Sequence, residues 1–171
     1  MNSQAYIEVK NMSFCYPRSQ FRLKDISLKL NRNDITALVG ENGSGKSSFL
    51  HHVLLPAITA SKDKYVLYLQ QQMYLQLYAI QAHAAIHSPG RRIAGEQDAI
   101  RYLCDDLKKS HRMQPRDIYV LADESTDLAA LQELSLPHCL IYIAHHESLP
   151  NSRELQFSAL GPEVSEVIAD V

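Results

Sequence analysis

"LVGENGSGKSSFLHHVL" runs from Leu38 to Leu54. An apolar run stops at Gly40, passes through a loop, and restarts as a helix behind Lys46. Gly40, Gly45, Lys46 and Ser47 fit the pattern G-x-x-x-x-G-K-[ST]. Glycines let the backbone curl until successive N–H groups point inward, and the helix N-terminus behind them adds its positive end. Such a loop is an anion cradle. Its lysine reaches the β- and γ-phosphates of a nucleotide, and its serine hydroxyl faces Mg²⁺. The expected nucleotide-binding set is therefore Gly40, Glu41, Asn42, Gly43, Ser44, Gly45, Lys46, Ser47 and Ser48. The flanks suit the motif. "DITALVG" reads as a short apolar strand, and "KSSFLHHVLL" as a helix with Phe49, Leu50, Val53 and Leu54 on one side. A plain glycine turn would explain the curl but leaves the lysine and serine without a purpose.

The stretches around this loop alternate between strand and helix. "YIEVKNMSFCY" and "FRLKDISLKL" read as paired strands with "PRSQ" as their turn. Pro56 reads as a stop near the end of the loop's helix. "YVLYLQ" is a buried strand, and residues 73 to 87 read as helical. "SPGRR" breaks the pattern. In "GEQDAIRYLCDDLKKSHR", Ile100, Leu103 and Leu107 share a helix face, with acids early and bases late as the macrodipole prefers. "DIYVLADE" is a strand, "LAALQEL" a short helix, "CLIYIAHH" a strand and "RELQFSAL" a last strand. The expected fold class is α/β: a mainly parallel sheet flanked by helices, with an N-terminal antiparallel β region. All 171 residues are expected to form a single domain.

Composition narrows the partners. The formal net charge is -2, so no basic footprint points to nucleic acid. No apolar run approaches the roughly 20 residues of a membrane span, and the first residues lack the pattern of a secretion signal. The three cysteines are odd in number and widely spaced, as in a reducing compartment. A cytoplasmic protein is expected.

"IYVLADE" carries the second half of the chemistry. An apolar strand that delivers Asp123 at its C-terminal end puts a carboxylate where a nucleotide-binding sheet needs one for Mg²⁺. Glu124 follows it and is placed to polarise an attacking water. "CLIYIAHHE" brings His145 and His146 to another strand end, where a histidine can meet the γ-phosphate or the water. Alone, such a pair reads as surface. A metal site from His145, His146 and Glu147 is disfavoured, because adjacent side chains leave a strand on opposite faces.

The order of these motifs resembles the nucleotide-binding domain of ATP-binding cassette (ABC) proteins, from about Tyr6 to about Leu160. The resemblance implies a P-loop NTPase fold, ATP and Mg²⁺ as ligands, and ATP hydrolysis. It implies that Tyr16 stacks on adenine. "YLQQQ" resembles the glutamine loop, with Gln71 the best match and Gln70 and Gln72 open by register; that glutamine would contact Mg²⁺ and the water. "DEST" resembles the Walker B end, with Asp123 on the metal and Glu124 catalytic. His145 matches the switch histidine by its place after "IYIA".

Two departures stand out. The family signature LSGGQ has only "RRIAGEQDAI" as its counterpart. Its candidates are Ala94, Gly95, Glu96 and Gln97, and Ile93 or Ala94 stands at the serine depending on register. Losing that hydroxyl costs one charge-assisted hydrogen bond to phosphate, worth roughly 1.5–3 kcal/mol. In the D-loop region, Ala130 stands where an aspartate is expected, with Asp127 a few residues early. The chain is also short for the family, so the helical region, about 73–110, is much reduced. Three functions follow. The first is an ATP-hydrolysing subunit, a homodimer or heterodimer of cassettes, that powers a separate membrane permease from the inner face of the cell membrane. The second is a soluble, non-transport ATPase of the chromosome-maintenance or repair type, whose signature carries a glutamate; no coiled-coil heptads accompany it. The third is a nucleotide-dependent dimerisation or regulatory module.

Overall fold

A computed structural model of the chain describes residues 6–17, 22–123, 128–132, 134, 136–144, 148–161 and 164–169. Its strands are β1 (Tyr6–Cys15), β2 (Arg22–Asn31), β3 (Ile35–Gly40), β4 (Lys64–Leu69), β5 (Asp117–Ala122), β6 (His138–Ile143), β7 (Arg153–Gly161) and β8 (Val164–Ala169). They form one sheet in the order β1-β2-β8-β7-β3-β6-β5-β4. From β7 to β4 every neighbouring pair is parallel. The β1–β2 and β7–β8 pairs are antiparallel, and β2 meets β8 in parallel. The N-terminal antiparallel hairpin is thus continuous with the parallel sheet rather than detached from it. The strand β8 was not anticipated; "RELQFSAL" is the penultimate strand, β7.

Side-chain alternation in the central strands divides the interior into two layers. Tyr119 and Leu121 of β5, with Ile141 and Ile143 of β6, face one cluster. Ile118, Val120 and Ala122, with Leu140 and Tyr142, face the other. The first cluster holds Phe49, Leu50, Val53, Leu54 and Ile58 from the helix behind the loop, together with Ile7, Val9, Leu23 and Ile26 of the hairpin. The second holds the helices α3 (Met73–His87) and α4 (Glu96–Met113) through Ile80, Ala84, Ile100 and Tyr102. A short α5 (Ala129–Gln132) packs through Leu131 on the same side. The phosphate loop's helix and the α3–α4 pair therefore lie on opposite faces of the sheet.

The helix behind the loop is irregular. It begins as α1 (Lys46–Phe49), widens into a π-helical segment (Leu50–Leu54), and continues as α2 (Leu55–Thr59). Pro56 does not end it. A proline in a regular helix interior clashes with the carbonyl four residues back. Here Pro56 sits in the first turn of α2, directly after the widened segment, where its missing N–H is tolerated.

The helix α3 is apolar on two sides. Met73, Ile80 and Ala84 are buried, while Tyr74, Leu75, Tyr78 and Ile86 are exposed on the opposite side. No Asp, Glu, Lys or Arg occurs between Met73 and His87. Among the described residues, no helix is long and apolar enough to cross a membrane.

Candidate nucleotide-binding site

The loop after β3 takes the shape its glycines permit. Gly40, Gly43 and Gly45 have φ of 143°, 81° and 97°. Gly45 caps α1 in the left-handed region, which a side chain rarely adopts. Gly40 is doubly constrained, because a Cβ there would sit 2.4 Å from the Phe157 carbonyl oxygen of β7. Ser44 is buried, and Asn42 and Glu41 are exposed. The Lys46 side chain is only 5% exposed. Its ammonium donates to the carbonyls of Gly40 and Glu41, each at 2.8 Å. The lysine thus folds back along the rim of its own loop.

Asp123 follows β5, two strands away from β3, yet its carboxylate reaches the loop. The Ser47 hydroxyl donates to Asp123 Oδ1 at 3.0 Å. Asp123 is 9% exposed and its N–H is anchored on the Leu69 carbonyl at 2.8 Å. An alcohol and a carboxylate in contact are hard oxygen donors of the kind Mg²⁺ prefers, so the residues fit that ion. Tyr68 stands nearby on β4. Burial, then the Asp123 charge, pushes its phenol up to about 12. Glu124, His145 and His146, and also Asp127 in the D-loop region, lie outside the described residues. So do the side chain of Ala130 and the whole of Glu147.

Tyr16 lies just past β1 and is 37% exposed. Its hydroxyl and the Ser48 hydroxyl are hydrogen-bonded at 3.0 Å, which ties the hairpin tip to the phosphate-loop helix. Phe14 and His52 stack at 4.6 Å with planes 6° apart. Tyr16 stands edgewise to both, at 4.8 Å from Phe14 and 5.2 Å from His52. His51 continues the row, 4.8 Å from His52 and 5.8 Å from Tyr68. Partial burial, then the neighbouring His51, holds the His52 imidazole below its ordinary pKa. Sequence reading singled out Tyr16 alone. The signals available for its neighbours were the spacing of Phe14 two residues before Tyr16, and of His52 four residues after Ser48.

The three glutamines have different settings. Gln70 has its N–H on the Gln76 side chain at 3.0 Å, and Gln76 also donates to the Tyr68 carbonyl at 2.9 Å. Gln72 accepts from the Tyr74 hydroxyl at 3.1 Å and precedes α3. Gln71 is exposed between them. Gln76, which ties β4 to α3, was missed because a helical glutamine reads as surface.

A strand, a phosphate loop with a buried lysine, and a carboxylate from a second strand meeting the loop serine are now in place. The family description "ABC transporter" matches residues 23–138. The chain belongs to the ABC transporter family. Its relatives match it over short stretches. The phosphate import ATP-binding protein PstB of Mycoplasma pneumoniae is 49% identical over 43 residues, 25% of this chain and 13% of that protein. The nisin transport ATP-binding protein NisT of Lactococcus lactis is 47% identical over 45 residues, 26% of this chain and 8% of its own length. The chain therefore spans a small part of the curated relatives it matches. Among solved structures, an RNase-L inhibitor is similar over 96% of this chain and 38% of its own, at 15% identity and a TM-score of 0.49.

In this ABC domain the signature candidate sits at the start of α4, with Gly95 as its N-cap in extended conformation. Ile93 is buried and Ala94 exposed, so Ala94 is the accessible side chain at that point. Gln81 donates to the Ile93 carbonyl at 2.9 Å and fixes the approach to the helix. The Ala94 N–H donates to the Asp98 carboxylate at 3.1 Å. Glu96 and Asp98 place two acids in the first turn of α4.

Proposed function

We propose that the chain is an ATP-binding and ATP-hydrolysing cassette subunit that powers a separate membrane transporter. The carrying observation is the 3.0 Å contact of Ser47 with Asp123 beside a buried Lys46. In this reading the phosphates take over the Lys46 ammonium from the two loop carbonyls, and the glycine-rich backbone N–H groups surround them. Ser47 and Asp123 hold Mg²⁺, with Gln71 as a further donor. The bound ion neutralises charge on the phosphate oxygens. Glu124 orients and polarises the attacking water, and His145 faces the γ-phosphate. Tyr16 stacks on the adenine.

The α4 start lies on the face of the sheet away from Lys46, which supports a site shared between two cassettes. There the Ala94–Gln97 segment of one subunit would close on the phosphates of the other. The uncharged, exposed side of α3 supports a protein partner, since contiguous exposed apolar surface marks an interaction site. The transport roles in the names of PstB and NisT point the same way.

Glu124→Gln tests the reaction. Nucleotide binding is expected to persist while hydrolysis falls by about a hundredfold or more. The variant should accumulate as an ATP-bound dimer in light scattering, and Ala94→Ser in that background should tighten it. Hydrolysis at the wild-type rate in Glu124→Gln would refute the assignment. One observation favours a second reading. The Asp98 carboxylate occupies the Ala94 N–H, and Glu96 stands beside it. Two acids at a helix start oppose an incoming phosphate, which suits a regulatory module that dimerises on ATP and cleaves it slowly. Dimers formed with ATP that persist through many minutes in the wild-type chain would select that reading.

A further inference from the structure

Ser48 and His52 are four residues apart on the helix that leaves the phosphate loop, so they share one face. Both touch Tyr16. Ser48 holds the phenol oxygen at 3.0 Å. His52 meets the ring edgewise, its own ring stacked flat on Phe14. Phe14 and His52 are 4.6 Å apart and lie 4.8 and 5.2 Å from Tyr16, a nearly equilateral arrangement. Both therefore brace the phenol from the same side. His52 belongs to the π-helical segment Leu50–Leu54. Widened turns of this kind recur at functional sites, and here the widened turn carries an exposed residue that packs on the hairpin tip.

We propose that His52 is a positioning residue for the nucleotide base, holding Tyr16 upright beside the phosphate loop. The base platform and the phosphate cradle are then braced by one helix face, through Ser48 and His52. This rests on reading Tyr16 as the base platform. What His52 supplies is its flat ring: it fills the space beside Phe14 and meets Tyr16 at right angles, an orientation aromatic rings favour. Phenylalanine at this position keeps those contacts, and alanine removes them.

The test compares two ligands by isothermal titration: a non-hydrolysable ATP analogue, and inorganic tripolyphosphate, which has the phosphates without a base. His52→Ala is expected to weaken the analogue roughly three- to tenfold and to leave tripolyphosphate unchanged. His52→Phe is expected to restore the analogue's affinity. In a Tyr16→Ala background, His52→Ala should add no further loss. Equal weakening of both ligands would overturn the proposal, since it would mark a structural effect on the loop. Failure of His52→Phe to rescue would overturn it too. The underlying reading fails separately: Tyr16→Ala with unchanged affinity for the analogue would show that Tyr16 is no base platform. A loss in Tyr16→Ala with none in His52→Ala would keep the platform and remove His52 from it.

Discussion

A lysine buried to 5% exposure is costly unless its charge is met, and Lys46 meets it with two main-chain carbonyls. Lys46→Ala therefore does two things. It removes the charge proposed above to meet the phosphates, and it leaves the Gly40 and Glu41 carbonyls without that donor. We expect nucleotide binding to be lost in titration calorimetry, and urea unfolding to report a stability loss of about 1–3 kcal/mol. From the letters alone, a loop lysine looks irrelevant to the fold; burial depends on how the loop curls over it. Gly40 gives a sharper case. Its φ of 143° and the Phe157 oxygen 2.4 Å from any Cβ leave no room, and the obstacle is main chain. Gly40→Ala should cost about 1–3 kcal/mol or more, read as a lowered urea midpoint.

Among the elements, β4 carries a group that reports on its own surroundings. The Tyr68 phenol is raised from 10.0 to about 12 by burial and then by Asp123, and burial foremost raises Tyr119 to about 12 as well. In the unfolded chain both phenols lose their protons near 10. The stabilising contribution is thus complete below that pH and is lost as pH rises toward 12. Urea midpoints measured over this range should fall, and Tyr68→Phe should make the fall shallower. The strand itself was readable from its apolar run, as were β3, β5 and β6 and the helices α3 and α4. Elements whose definition depends on distant partners were less visible. β8 reads VSEVIA, two adjacent polar residues and then three apolar ones with no alternation, and it is a strand by virtue of pairing with Arg22–Lys24 and with β7. The π-helical segment was hidden because five residues of LHHVL give the same apolar pattern in either kind of helix. The register of the signature candidate is open in the letters between Ile93 and Ala94; of the two, Ile93 is buried and Ala94 is exposed. In the site, the loop residues and Asp123 were legible because their chemistry is local. Phe14, His52 and Gln76 were not, because each acts through a neighbour brought in by the fold.

At the scale of the whole molecule, the exposed side of α3 contributes little to the domain's own packing. Tyr78 is 78% exposed. Tyr78→Glu is therefore expected to change unfolding free energy by less than about 0.5 kcal/mol; under the proposed membrane partnership it should also lower the share of the chain recovered with the membrane fraction. A large stability loss would instead make that side part of the core. The sheet has a different kind of seam. Arg22 pairs with Val164, so within the sheet the hairpin that carries Tyr16 is joined to the parallel strands through β8, far later in the chain. Such a pairing has a very high contact order and forms slowly. On a ribosome adding about 5–20 residues per second, the hairpin emerges roughly 7 to 28 seconds before its partner strand. Through that interval the β2 edge is open, and it is Arg22 and Lys24, charges that discourage edge-to-edge association, that occupy the unpaired positions. The nascent chain is expected to gain affinity for nucleotide only once β8 has emerged, which stalled chains of increasing length would reveal as a single late step.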